Sequence, residues 1–305
     1  MKERLEALAD PELMRRLASL VCDGGEASYD EVRAAFAACI DQTLLDPTAG
    51  PERVASWARS QASQGFATLC VQPCNAARVA WELDRLESPT GTCAVLAFPQ
   101  GQALPEALCF EVALLMEAGV DEFDLVMNYG AFLEGSYDEV AAPILSVLGT
   151  IDADVEEDGE CTCDDEECGC DGHHHHGHGE EGPGHEAHDH GDSPLLKVIL
   201  ETGLLTEEQV CAATDLVSSL GVDFVKTSTG FGPRGASVRD VQLMSATVEP
   251  GVQVKAAGGI RTIQDAVALL EAGATRLGTS RGQELLAELD AVAARLGHVD
   301  EGGAE

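Results

Sequence analysis

The chain holds four lysines, and three of them stand in short apolar runs: Lys197 in "LLKVILETG", Lys226 in "FVKTSTGFG" and Lys255 in "VQVKAAGGIR". Burying an ammonium is costly unless an acid answers it or a reaction uses it, so chemistry is expected at these positions. Two ammonium groups at close range disfavour charge on each other, and an amine relieved of its proton attacks carbonyl carbon. Lys226 and Lys255 are the pair that can do this, because they close two successive strand-like runs. The acid is Asp124 in "VDEFDLVMNYG", where alternation puts Glu122, Asp124, Val126 and Asn128 on one face and Phe123, Leu125 and Met127 on the other. A buried carboxylate beside lysines is either a structural ion pair or a tuned proton carrier, and both readings need the same geometry. Lys197 shares a face with Ile199 and Glu201 and reads as an ion-pair partner of Glu201 or Asp124, from where it can orient the acid or a water.

Glycines supply a second pattern. "AAGGIRT" after Lys255 and "LGTSRG" near the end of the last apolar run both present backbone N–H groups just before a helix, an arrangement that favours a phosphate. Gly258, Gly259, Gly278 and Ser280 are the candidates, with Thr229 and Gly230 of "TSTG" closing the third side. Tight turns need glycine in any case, so two glycine pairs at the expected places carry more weight than either alone.

Positioning these groups takes eight strands: Ala38–Asp41, Thr68–Gln72, Cys93–Ala97, Glu122–Asn128, Lys197–Thr202, Phe224–Thr227, Val252–Ala256 and Thr275–Gly278. Amphipathic helical stretches such as "PEALCFEVALLMEAG" and "TIQDAVALLEAG" separate them, with Gly119 and Gly273 as stops. Eight βα units predict an α/β chain folded as a (β/α)8 TIM barrel, whose reactive groups gather at the C-terminal strand ends. An open doubly wound sheet is the rival, but no GxGxxG follows the first strand. The expected organisation is an N-terminal helical extension over 1–35, the barrel over 36–298, and an acidic Cys/His-rich inserted loop over 152–193.

That loop holds sixteen acids, no lysine or arginine, four cysteines and eight of the nine histidines. Its composition cannot join a hydrophobic core, and it reads as disordered or ordered by metal. Cys161, Cys163, Cys168 and Cys170 with His173 and His175 are candidate ligands for an accessory transition metal; an insertion with no selected role is the alternative. A net charge of −36 argues against nucleic acid and anionic membrane as partners. No apolar run approaches the roughly 20 residues a bilayer span needs, and the eleven cysteines, mostly single in apolar stretches, suit reduced thiols; a cytoplasmic location is expected.

Taken together, "IDQTLLDP", "ATLCVQP", "VLAFPQG", "DEFDLVMNYGAFLEG", "LLKVILETGLLTEEQV", "DFVKTSTGFG", "AAGGIRT" and "RLGTS" resemble the deoxyribose-phosphate aldolase (DeoC) family, from about Ile40 to Gly282. The resemblance implies a (β/α)8 class I aldolase that reversibly cleaves 2-deoxy-D-ribose 5-phosphate to D-glyceraldehyde 3-phosphate and acetaldehyde, with no cofactor for catalysis. It also implies a small sugar phosphate as the molecular partner, and a homodimer is one expectation. It assigns the Schiff base to Lys226, the second lysine to Lys255 and proton transfer to Asp124 assisted by Lys197. Three positions depart from the family: Gln42 stands where a histidine is usual, a place expected to shape the entrance, Arg281 stands where many relatives have serine, and Gly203 of the "ETG" turn stands where many relatives have cysteine, a change expected to be harmless. Arg281 is expected to charge the phosphate site or to turn outward into a surface pair. Alternatives are another lysine-dependent sugar-phosphate aldolase or transaldolase, or a metal-binding protein on an inactive barrel. The dialysed chain is expected to carry about one or more equivalents of transition metal that are lost, with turnover unchanged, when residues 161–190 are deleted. Elemental analysis checks this, and a metal-free full-length protein contradicts it.

Overall fold

The computed structural model describes residues 11–22, 27–157 and 193–296. Eight strands pair in parallel in sequence order and close on themselves: β1 (Ile40–Leu44), β2 (Thr68–Val71), β3 (Gly91–Leu96), β4 (Glu122–Val126), β5 (Leu195–Ile199), β6 (Phe224–Lys226), β7 (Gln253–Ala257) and β8 (Arg276–Thr279). Among the described residues two helices precede the barrel, α1 (Pro11–Val21) and α2 (Tyr29–Ala38). Between the strands run α3 (Pro51–Gln61), α4 (Pro73–Arg85), α5 (Pro105–Glu117), α6 (Tyr129–Glu134), α7 (Tyr137–Glu157), α8 (Glu207–Ser218), α9 (Val238–Thr247) and α10 (Ile263–Glu271), and α11 (Gly282–Leu296) ends the described chain. The expected TIM barrel is the observed fold.

Local sequence starts these helices where the barrel needs them. Proline occupies the first turn of α3, α4 and α5, where its missing N–H costs nothing. Ser28 with Glu31, Thr206 with Gln209 and Thr262 with Asp265 form capping boxes at α2, α8 and α10. Strand limits differ from the periodicity by a few residues. β1 starts at Ile40 because Phe36 and Ala37 are buried in the last turn of α2. β5 stops at Ile199, since Glu201 turns the chain with φ +53°. β4 stops at Val126, and Asn128 caps α6 by accepting the Ala131 N–H at 3.1 Å. α7 continues through Glu157, so the first six residues of the segment expected as a loop over 152–193 are helical, and Val147 and Ile151 are buried on the same helix.

Alternation along each strand sorts the residues into two cores. Outward, Leu69, Val71, Ala94, Leu96, Phe123, Leu125, Leu196, Val198, Val225, Val254, Ala256 and Leu277 pack with the helices in one continuous apolar layer. Inward, the lower barrel is charged: Asp41, Glu122, Asp124, Lys197, Lys226 and Lys255 are all buried. Register makes neighbours of them, since Asp124 lies opposite Lys197, Lys226 opposite Lys255, and Lys255 opposite Arg276. Among the described residues no helix is long and apolar enough to cross a membrane.

Arg276 closes this interior where β8 returns to β1. Its guanidinium donates to Asp41 Oδ1 at 2.7 Å and to Glu122 Oε1 at 3.2 Å, with the side chain only 14% exposed. Removing one partner of a buried ion network leaves uncompensated charge. Arg276→Ala is therefore expected to lower the unfolding free energy by roughly 3–5 kcal/mol, measured by urea denaturation; a change under about 1 kcal/mol contradicts the assignment.

Candidate active site

Three lysines converge on one carboxylate. Asp124 Oδ2 accepts from Lys226 Nζ and from Lys255 Nζ, each at 2.6 Å, and its Oδ1 accepts from Lys197 Nζ at 3.0 Å. Because they share an oxygen, the Lys226 and Lys255 nitrogens lie within about 5 Å of one another. Thr227 holds the two strand ends together: its hydroxyl donates to the Ala257 carbonyl at 3.2 Å and accepts the Ala257 N–H at 3.0 Å.

The lysines differ in how many acids answer them. Lys255 also pairs with Asp41 at 2.5 Å, and Lys197 also pairs with Glu122 at 2.6 Å. Among the described residues Lys226 has only its share of Asp124, and of the three lysines it alone reaches toward solvent, its side chain 5% exposed against 0% for each of the other two. With every group ionised, the four cations Lys197, Lys226, Lys255 and Arg276 face the three carboxylates Asp41, Glu122 and Asp124. One lysine can thus act as a free amine without leaving any carboxylate unmatched.

Burial by itself pushes the Asp124 carboxyl up, but Lys197, Lys226 and Lys255 outweigh it and hold the group well below the usual carboxylate range. Asp41 follows the same pattern: burial raises it, and Lys255, Lys197 and Arg276 bring it net down. Burial favours the neutral form of Lys255 and Lys197, yet Asp124 with Asp41, and Asp124 with Cys93 and Glu122, push these ammonium groups above their ordinary range. Lys255 is therefore a fixed cation next to Lys226. Lys197 bonds Asp124 and pairs with Glu122; of the two partners expected for it, Asp124 is the one it meets.

At the rim, the loops after β6 and β7 touch. Gly230, Gly258 and Gly259 have φ of +85°, +89° and +81°, and a Cβ on Gly258 would stand 3.0 Å from the Gly235 Cα and 3.4 Å from the Gly230 Cα. Only glycine permits so close an approach of the two loop backbones. Thr229 is held from below: its N–H donates to Glu201 Oε2 at 3.2 Å and its hydroxyl bonds the same oxygen. Ser280 is exposed just before α11. Gly278 has a different setting, inside β8, where a Cβ would lie 2.9 Å from Ala257 Cβ and 3.3 Å from Lys255 Cε; its bare backbone makes room for that lysine. Arg281 takes the outward course, its Nε 3.9 Å from Glu284 Oε1 and both side chains exposed.

Gln42 requires a correction. It does not shape the entrance: Asp41 takes the inward face of β1, so Gln42 points to the helices, where its Oε1 accepts the Gly282 N–H at 2.9 Å and its Nε2 donates to Gln61 at 3.2 Å. It caps α11 and ties it to α3. Nothing in the composition singles out Arg276, but the alternation that turns Gly278 inward turns Arg276 inward as well, and that is the signal that finds it. The candidate metal ligands Cys161, Cys163, Cys168, Cys170, His173 and His175 lie outside the described residues.

A family model described as DeoC/LacD family aldolase matches residues 186–287. A deoxyribose-phosphate aldolase from Thermus thermophilus is 37% identical over 253 residues, covering 83% of this chain and 96% of the relative. The chain belongs to the deoxyribose-phosphate aldolase family. A second family member, from Thermococcus gammatolerans, is 36% identical over 247 residues, 81% of this chain and 93% of its own. Among solved structures of the family, the Aeropyrum pernix deoxyribose phosphate aldolase, described as a unique tetramer, superposes with a TM-score of 0.67 at 25% identity, covering 91% of this chain and 97% of that one.

The depressed carboxyls give this interior a pH signature. Since the folded-state value of Asp41 lies below its unfolded value of about 3.9, its ionisation stabilises the fold above that pH and the contribution is lost as pH falls toward the folded value. The gap in unfolding free energy between wild type and Asp41→Asn is expected to stay level above about pH 5. Below about pH 4 it should narrow by up to about 1.4 kcal/mol per pH unit. Urea unfolding from pH 3 to pH 7 checks it; a gap independent of pH contradicts it.

Proposed function

We propose that this chain is a class I aldolase that cleaves 2-deoxy-D-ribose 5-phosphate to D-glyceraldehyde 3-phosphate and acetaldehyde, and runs the reaction in both directions, through a Schiff base on Lys226. The observation that carries the reading is the inequality among the three lysines: Lys255 and Lys197 each have two carboxylates, while Lys226 has a share of one and lies nearest the mouth. Family membership supports the same substrate class, a small sugar phosphate.

The free amine of Lys226 adds to the C1 aldehyde of the open-chain sugar to give a carbinolamine, and loss of water gives an iminium. Removal of the C3 hydroxyl proton then breaks the C2–C3 bond, and its electron pair moves into the iminium to form an enamine. Glyceraldehyde 3-phosphate leaves. Protonation of the enamine and hydrolysis release acetaldehyde and restore the amine. Asp124, 2.6 Å from Lys226 Nζ, is suited to carry protons during carbinolamine formation and to the enamine carbon. Lys197 orients Asp124 from its other oxygen. Lys255, kept cationic by Asp124 and Asp41, shares the Asp124 oxygen with Lys226. The iminium nitrogen is itself the electron sink, so the chemistry asks for no metal or organic cofactor.

The phosphate would lie at the Gly258–Gly259 turn and the start of α11, with Thr229 and Gly230 on the third side and Ser280 at the helix entry. Arg281 contributes from there only by leaving Glu284. Lys226→Ala is expected to lower cleavage of 2-deoxyribose 5-phosphate by at least about a thousandfold while the fold is kept. A coupled assay of glyceraldehyde 3-phosphate release measures it, and undiminished turnover contradicts the mechanism.

A further inference from the structure

Two thiols of the barrel interior border the lysine cluster and have no part in the chemistry above. Cys70 of β2 and Cys93 of β3 are register partners on adjacent strands, both fully buried and both free. Cys93 Sγ accepts from Lys197 Nζ at 3.4 Å, and Cys70 Sγ donates to Asp124 Oδ2 at 3.9 Å. The two sulfurs and an Asp124 oxygen all lie within 4.8 Å of one another. Zinc holds sulfur at about 2.3 Å and carboxylate oxygen at about 2.0–2.2 Å, so tetrahedral donors stand roughly 3.5–3.8 Å apart. The three donors are within about an ångström of that spacing already.

We propose that Cys70, Cys93 and Asp124 form an inhibitory site for a thiophilic divalent cation of the zinc and cadmium class, one that loads when such an ion is in excess. Two sulfur–metal bonds form as two S–H bonds break, and both protons leave to solvent; no electron is transferred. A dication replacing two protons leaves the net charge of the interior unchanged, so the surrounding lysines do not oppose the exchange as they would oppose a bare ion. Two thiolates select soft ions over magnesium or calcium, which take oxygen ligands. The third ligand makes the site inhibitory. The two Asp124 oxygens now accept from Lys197, Lys226 and Lys255, and drawing the carboxylate to a metal breaks into that set of ion pairs. All three donor residues are buried, so the ion enters past Lys226 from the mouth and inhibition develops with time.

The inhibitory consequence rests on the aldolase reading, whereas the site itself can be tested without it. Cadmium is titrated into the reduced full-length protein and into C70S/C93S, and thiolate-to-cadmium charge-transfer absorption is recorded. Thiols elsewhere contribute equally to both and cancel. Wild type is expected to exceed the variant by the absorption of two thiolates, and C70S alone to fall between them, which preserves the comparison if the double variant folds poorly. In parallel, zinc inhibition of cleavage is measured against each protein's own uninhibited rate. Outer-shell changes alone shift metal affinity by about 10–100-fold, so the loss of two ligands should raise the half-inhibitory zinc concentration by at least about tenfold. Identical cadmium spectra in all three proteins overturn the site. A spectral difference with unchanged zinc sensitivity overturns the inhibitory role. If 2-deoxyribose 5-phosphate is not cleaved at all, the substrate reading fails and the spectra still decide the site.

Discussion

One carboxylate organises this protein's interior. Asp124 receives three ammonium groups at 2.6, 2.6 and 3.0 Å, from β5, β6 and β7. A charge cluster inside a barrel is costly to desolvate, and it persists only when every member is answered. Here Asp41 and Glu122 answer Lys255 and Lys197 a second time, and Arg276 ties those two acids to each other. Lys226 is left with half a partner. The reactive position is thus defined by subtraction: two lysines are fixed by the network, and the third, with a share of one acid, lies nearest the mouth.

The rest of the fold can be understood as what holds that arrangement in register. Parallel pairing sets Asp124 beside Lys197 and Lys226 beside Lys255, and Thr227 bonds β6 to β7 just beyond the lysines. Gly278 leaves the space that the Lys255 side chain crosses. The apolar outer layer supplies the stability that allows so polar an interior, since it buries the opposite face of the same strands against the helices. At the rim, left-handed glycines bring the two loop backbones after β6 and β7 together, and the Glu201 carboxylate holds Thr229 beside them.

Much of this is legible in the sequence because period-two alternation is a local property. "DEFDLV" turns Asp124 inward whatever the rest of the chain does, and "FVKT" and "VKAA" each carry one lysine in a short apolar run, so Asp124, the two lysines and the barrel could be read together. What could not be read depends on where strands begin and on closure. β1 starts two residues later than its apolar run suggests, because α2 uses Ala37 and Ala38 for its last turn; the face of Gln42 therefore cannot be judged from composition. The pairing of Arg276 with Asp41 needs β8 to return to β1, a contact 235 residues long in sequence. Glu201 leaves the strand through a positive φ, which a glutamate does not advertise.

The central claim is that partner count, more than position alone, chooses which of three neighbouring lysines becomes the nucleophile. Borohydride reduction of the protein with acetaldehyde, followed by peptide mapping by mass spectrometry, addresses it directly. One reduced ethyl adduct is expected, on Lys226. An adduct on Lys255 or Lys197 in place of Lys226, or none on any of the three, would contradict it.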